Sequence, residues 1–215
     1  MAPMKSGILA SIMLAATAVA GDLKPALGTQ GQVLLEEKFE GAEVPKGWNA
    51  NTGTLRVHQG QLMAAEKASD KHIGAFRYRL PLQDCAIQFD LRLGEARTFN
   101  VGFDPQAGEL KKKGHLYSVI ITRNLWSIVE HNDKTDPASK PKVLAKGETK
   151  FDSAQTYTFL LESKGNDVVV QCAGKEALRA TSGDFHVKKP GLVFRMGGKD
   201  GQEVALDNVK VWALK

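Results

Sequence analysis

Apolar and polar residues alternate with a period of two through most of the chain, in short runs separated by turn residues. That spacing predicts β-strands. The clearest run is DCAIQFDLRL (84–93): Cys85, Ile87, Phe89, Leu91 and Leu93 share one face, and Gln88, Asp90 and Arg92 the other. One face is therefore buried and one is wet. TFNVGFD (98–104) repeats the scheme, with Phe99, Val101 and Phe103 against Asn100, Gly102 and Asp104. HLYSVIITR (115–123) and LWSIVEH (125–131) predict a hairpin about Asn124, and 54–65 predicts another about Gln59-Gly60. TYTFLLES (156–163) and VVVQCAG (168–174) turn at Gly165-Asn166-Asp167. VLLEEKFEG (33–41), HIGAFRYRL (72–80, stopped by Pro81), GLVFRMG (191–197) and VALDNVKVWAL (204–214) complete the set. The Pro- and Lys-rich stretch 132–148 reads as a loop, and short helical turns fit 105–111 or 152–155.

Eleven to thirteen strands with no helix among them predict an all-β chain of two antiparallel sheets packed face to face, a jelly-roll sandwich, with a closed barrel as the alternative. Residues 1–20 differ: one charge, Lys5, then an apolar stretch ending in Ala18-Val19-Ala20. This is the form of a signal peptide, too short to span a bilayer; a retained anchor is the other reading. The expected layout is a signal peptide (1–20), a flexible lead-in (21–32) and a single β-sandwich domain (33–215), exported to the periplasm or the exterior, with no membrane insertion after cleavage.

Removing the leader lowers Lys+Arg from 29 to 28 against 24 Asp+Glu, a net charge of +4. The charge is spread out except at Lys111-Lys112-Lys113, unlike the dense, aromatic-interleaved tracts of nucleic-acid binders, so no nucleic-acid partner is expected. An anionic glycan or cell-surface polymer is compatible with it. Cys85 and Cys172 are competent to pair outside the cytoplasm, and a disulfide and two buried thiols are both open.

Nucleophile elbow, phosphate-binding loop, dinucleotide fingerprint and zinc-protease motif are all missing. The five histidines lack short metal-ligand spacing, and no metal or cofactor is expected, although Asp207 in LDNVKVW is a position for a structural Ca²⁺. No strand face alternates two carboxylates, so acid-plus-nucleophile glycoside hydrolysis has no support. Polar residues on wet strand faces are present, and sugar recognition needs such groups together with an aromatic platform. Gln88, Asp90, Arg92 and Asn100 supply the first; Tyr117, Tyr78 or Trp126 supply the second. His72 and His115, each at a strand start beside turn residues, and Arg123 are the further candidates. The plain alternative for each is a solvated strand residue or a histidine bonded to a backbone carbonyl.

FEG followed by PKGW (39–48), TLRVHQGQL, DKHIGAF (70–76), IQFDLRL (87–93), GHLYSVII (114–121) and ALDNVKVW (205–212) together resemble the exported 3-keto-disaccharide hydrolase-type domain family. The resemblance implies a concanavalin A-like jelly roll from about residue 33 onward. It also implies cleavage of 3-keto-glycosides by elimination and hydration, a route that needs one base, a cation for an enolate oxygen and an acid for the leaving group. His72 or His115 would be the base, Arg92 or Arg123 the enolate stabiliser, and Asp90 the orienting or acid group. Gln88, Asn100, Tyr117 and Trp126 would hold a carbohydrate or polysaccharide ligand. Two other readings stay open: a non-catalytic carbohydrate-binding module and an envelope interaction domain. A histidine sharing a cleft with Asp90 and Arg92 favours chemistry; a histidine elsewhere favours binding.

Overall fold

The computed structural model describes residues 23–215; the expected signal peptide lies outside the described residues. In chain order the strands are β1 (Gln30–Glu37), β2 (Trp48–Thr52), β3 (Thr54–His58), β4 (Gln61–Ala65), β5 (Gly74–Leu82), β6 (Cys85–Arg92), β7 (Thr98–Phe103), β8 (Tyr117–Thr122), β9 (Leu125–Glu130), β10 (Lys142–Glu148), β11 (Tyr157–Lys164), β12 (Asp167–Cys172), β13 (Leu178–Thr181), β14 (Lys189–Gly197) and β15 (Glu203–Leu214). They form two antiparallel sheets. One has the order β13-β12-β11-β6-β15-β4-β3, with β1 also on β15; the other runs β10-β9-β8-β7-β14-β5-β2.

The architecture is an all-β, two-sheet jelly-roll sandwich. The alternation seen in 84–93 and 98–104 has the expected phase: Cys85, Ile87, Phe89, Leu91, Phe99, Val101 and Phe103 all lie in the core between the sheets. Phe89 bridges the layers. It stacks on Phe159 of its own sheet at 5.5 Å and meets Phe99 and Phe194 of the other at 6.0 and 6.2 Å.

Several expectations needed correction. The strand expected to stop at Pro81 continues to Leu82, because a register slip between Lys189 and Gly191 falls opposite Pro81 and relieves it of a ladder bond. The last seven residues of the expected 132–148 loop form β10, an edge strand carrying lysines, which blunt such edges. The single helical turn among the described residues lies at Ala68–Asp70, where the Asp70 carboxylate accepts the Gly53 amide at 2.6 Å. LDNVKVW contains a bulge: the register with β6 slips between Asp207 and Lys210, and Asn208 takes a positive φ of 48°. The bulge lets Leu206 and Val209, three apart, both reach the core.

Cys85 and Cys172 are buried free thiols. They face Ser163 and Phe159 from opposite sides of β11. Four steps along and two strand spacings across set them roughly 16 Å apart, beyond the ~7 Å reach of a disulfide. Burial pushes both thiols up to about 12.

The lead-in, expected to be loose, is strapped from Leu23 onward across the outer face of the eight-stranded sheet. Leu23 packs on Ala86, Leu160, Trp212 and Leu214 and donates its amide to Gln88 Oε1 at 2.8 Å. The amides of Ala26 and Leu27 donate to one oxygen of Glu162, at 2.7 and 2.8 Å, and Gln171 Nε2 donates to the other at 2.9 Å. Glu162 is 0% exposed, a buried carboxylate made tolerable by these donors.

Because Phe89 joins both layers, Phe89→Ala is expected to destabilise the protein by ~3–5 kcal/mol, the cost of a large unrelaxed cavity. Urea unfolding followed by tryptophan fluorescence measures it, with a lowered midpoint and an unchanged slope as the expected result.

Candidate functional site

A sandwich has two outer faces, and the sequence-predicted site residues divide between them. Gln88, Asp90 and Arg92 lie on the outer face of the eight-stranded sheet. Gln88 is under the lead-in. Asp90 is held by Thr158 Oγ1 at 2.5 Å and by Asn208 Nδ2 at 2.8 Å, so it clamps the β15 bulge. Arg92 donates to Gln61 Oε1 at 3.1 Å. His72 is exposed, and its Nδ1 lies 2.7 Å from the Ile73 carbonyl, the plain histidine arrangement. Tyr117 and Trp126 are 0% and 2% exposed and belong to the core, so neither offers a platform. Tyr78 is half-buried against Trp48 at 5.4 Å. Arg123 sits at the β8–β9 turn and donates to the Gly94 carbonyl at 3.3 Å. The expected convergence of these residues on one hollow does not occur: neither His72 nor His115 shares a cleft with Asp90 and Arg92, so the route to chemistry through those two residues falls, and His115 meets a different carboxylate and guanidinium instead. Asn100 and His115 alone among them share a face with a polar cluster, on the seven-stranded sheet.

That cluster draws on five strands adjacent in the sheet. Arg77 comes from β5, Arg195 from β14, Asp104 follows β7, His115 precedes β8 and Ser118 lies within it, and His131 follows β9. Asp104 is its hub. Arg77 Nη1 donates to Oδ2 at 2.5 Å, His115 Nδ1 lies 2.6 Å from Oδ1, and Arg195 Nη2 is 3.6 Å from Oδ1. Arg195 Nη2 also lies 2.7 Å from His115 Nδ1. That nitrogen cannot serve both partners. Carrying a proton, it donates to the carboxylate, which leaves Nε2 as the basic atom of the ring.

Behind this pair runs a second chain of contacts. Arg195 Nη1 donates to Ser118 Oγ at 3.3 Å, which frees the hydroxyl proton for His131 Nε2, 2.9 Å away. The two histidine rings meet edge to face at 5.3 Å. Asn100 is in register with Arg195, and its Oδ1 accepts from Thr98 Oγ1 at 2.9 Å. Gly102 lies in register between Val193 and Ser118. A Cβ there would fall 2.1 Å from the Tyr117 carbonyl oxygen and 2.9 Å from Ser118 Oγ, so only glycine fits this close approach.

The electrostatics follow from the contacts. Burial alone would raise the Asp104 carboxyl, but hydrogen bonds from His115 and Arg77, with the Arg77 charge, hold it at about 2. Burial lowers Arg195 from the usual arginine value, against the favourable charge of Asp104. Burial, then the neighbouring His115 and Arg195, lower His131 to about 4. The site thus holds two guanidiniums against one carboxylate, one oriented imidazole and one histidine kept neutral. Side-chain exposure is 35% for Arg77 and 26% for His115, so both are open to a ligand, whereas Arg195 at 6% is not. Beside His131 a recess of about 170 Å³ opens, with Lys112 on its wall bonded to Glu130 at 3.0 Å and Asp184 at 2.7 Å. Among the described residues no group of three or more His, Cys, Asp or Glu side chains could hold a metal ion.

No protein-family model and no curated protein matches the sequence. Solved structures match over most of the chain. The carbohydrate-binding module CBM66 from Bacillus subtilis is similar at 13% identity and a TM-score of 0.59, covering 78% of this chain and 96% of that one. SCLam, a non-specific endo-β-1,3(4)-glucanase from family GH16, is similar at 13% and 0.62, over 86% and 91%. A Bacillus subtilis protein with a galectin-like fold is similar at 12% and 0.60, over 86% and 98%. The chain has the concanavalin A-like, galectin-like fold, and at these identities the likeness is one of fold.

Arg77, Asp104, Arg195 and His131 were not singled out from the sequence, although all lie in or next to predicted strands. Arg195 is the lone charge in GLVFRMG, between core-facing Phe194 and Met196. That phase was the available signal.

The low His131 value fixes the sign of a pH dependence. The unfolded ring, near 6.5, takes up a proton before the folded ring does, so stability is complete above about pH 6.5 and falls as pH drops toward about 4. Asp104 continues the loss from its unfolded value, 3.8, toward 2. Urea midpoints measured between pH 7 and 4 are expected to decline for the native protein and to decline less steeply for His131→Asn.

Proposed function

We propose that the protein is an exported glycan-acting enzyme that cleaves 3-keto-glycosides by base-promoted elimination followed by hydration, with its site on the outer face of the seven-stranded sheet. The observation that carries this reading is the Asp104–His115 pair at 2.6 Å, flanked by Arg77 and Arg195. A carboxylate-oriented imidazole with an available Nε2 is a general base. A guanidinium beside it is the group an enolate oxygen requires.

A ketone at C3 of a sugar acidifies the hydrogen at C2. His115 Nε2 takes that proton, the electron pair moves onto the C3 oxygen beside the Arg77 guanidinium, and Asp104 stabilises the imidazolium so formed. The pair then returns to form the C1–C2 double bond as the C1–O bond breaks, and the imidazolium proton passes to the departing oxygen. Water adds across the double bond, its hydroxyl to C1 and its proton to C2. Protons balance, and neither an oxidant nor a second carboxylate is needed. Arg195 and the Ser118–His131 chain hold the pair in place, and Asn100 offers its amide to a sugar hydroxyl. The base is therefore His115, with Arg77 and Asp104 in the roles first assigned to Arg92 or Arg123 and to Asp90.

The fold supports a carbohydrate ligand by analogy with a binding module and a glucanase. A module that binds by stacking has less support, since Tyr117 and Trp126 are sealed in the core.

Wild-type protein is expected to release free sugar from a 3-keto-disaccharide, and His115→Ala to lower kcat/KM by ~10²–10⁴-fold, with thermal unfolding showing both to be folded. Asp104→Asn is expected to impair kcat more than KM. Unchanged turnover in folded His115→Ala would remove the assignment.

A further inference from the structure

At the far end of the same sheet, away from Asp104 and His115, three loops meet around a recess of about 390 Å³. Arg97 comes from the β6–β7 connection, Arg123 from the β8–β9 turn and Lys199 from the β14–β15 connection. All three side chains are exposed. Among the described residues none of them has an ion-pair partner, and Arg123 alone makes a side-chain hydrogen bond, to the Gly94 carbonyl at 3.3 Å. One carboxylate, Glu95, lines the recess with them; Thr122, Asn124 and Gln202 complete it.

Surface charges normally occur with opposite charge near by, as Arg56 does here with Glu203 at 2.7 Å. Holding three cations in one concavity carries a repulsive cost unless an anion visits it. The backbone beneath is fixed: Arg97 donates its amide to the Gly197 carbonyl at 2.8 Å, and the Lys199 amide donates to Gln202 Oε1 at 2.7 Å.

Strand β7 runs from the recess to the site. Thr98 pairs with Thr122 and Gly197 next to the recess, Asn100 pairs with Arg195 two residues on, and Asp104 follows the last residue of the same strand. Asp104 lies six residue steps beyond Thr98, a path of about 20 Å at the usual strand rise, long enough for several pyranose rings. Both ends of the path carry more guanidinium and ammonium than carboxylate.

We propose that this recess is a distal subsite for an anionic substituent, a carboxylate or a sulfate, on a saccharide chain lying along the face from Arg97 to His115. The proposal rests on the reading of this face as glycan-acting and names the substrate class: acidic oligosaccharides over neutral ones. Guanidinium groups suit it, since each can meet two oxygens of a carboxylate or sulfate at once.

Titration calorimetry at low salt with oligogalacturonate, a sulfated dextran oligomer and neutral dextran of equal length tests it. The intact protein is expected to bind one or both acidic oligomers, more weakly as salt rises, and to bind the neutral one at least about tenfold less tightly, a difference of ~1.4 kcal/mol. Arg97→Ser with Arg123→Ser is expected to erase the preference, whereas Lys38→Ser with Lys46→Ser, exposed positions elsewhere on the chain, leaves it intact. The oligomer whose binding is lost identifies the substituent. Equal binding of acidic and neutral oligomers, no binding of the acidic ones, or an undiminished preference in the arginine variant overturns the subsite. Turnover of a short neutral 3-keto-disaccharide, sensitive to His115→Ala, is read separately, so failure of the subsite and failure of the catalytic reading are distinguishable.

Discussion

Everything in this molecule depends on the seam of rings between the sheets. Phe89 touches Phe159 in its own layer and Phe99 and Phe194 in the opposite layer, and Trp126 and Phe151 extend the packing along Phe159. Once alternate residues of each strand are committed to that seam, their neighbours must point outward. Those outward faces lie on opposite sides of the sandwich. No side chain on one can reach a ligand held on the other.

This constraint sorts the chemistry. The polar groups of the eight-stranded sheet are spent on architecture: Asp90 on the β15 bulge, Gln88 and Glu162 on the strap formed by the lead-in. Those of the seven-stranded sheet converge on one carboxylate, Asp104, which two arginines and a histidine share. The opposed charges and the oriented ring sit over Gly102 and Ser118, both buried beneath them, and the small size of these two lets the charged side chains pack close to the backbone. Buried Arg195 belongs to that arrangement as a strut; partly exposed Arg77 and His115 are the parts that meet solvent.

Much of the fold was legible because inside-outside alternation is local. Phe89 against Asp90, or Phe99 against Asn100, needs only neighbours in the chain to be read. Strand ends were harder: Pro81 survives within β5 only because of a slip in β14, more than a hundred residues later. The site was harder again, for a related reason. Alternation assigns a residue to a wet face without saying which sheet carries it. Asp90 and Asn100, ten positions apart on consecutive strands, look equivalent in sequence, yet β6 and β7 lie in different sheets. Conversely Asn100 and Arg195 are direct cross-strand partners that no local pattern connects. His115 was visible as a histidine at a strand start; the partners that give it meaning were not.

The strap across Glu162 has a practical corollary. It holds Leu23 on the side of the sandwich opposite Asp104 and His115. A fusion partner, an affinity tag or a surface tether joined directly ahead of Leu23 would therefore start on the far side from Asp104 and His115, and immobilisation there would turn that face of the sandwich toward solution.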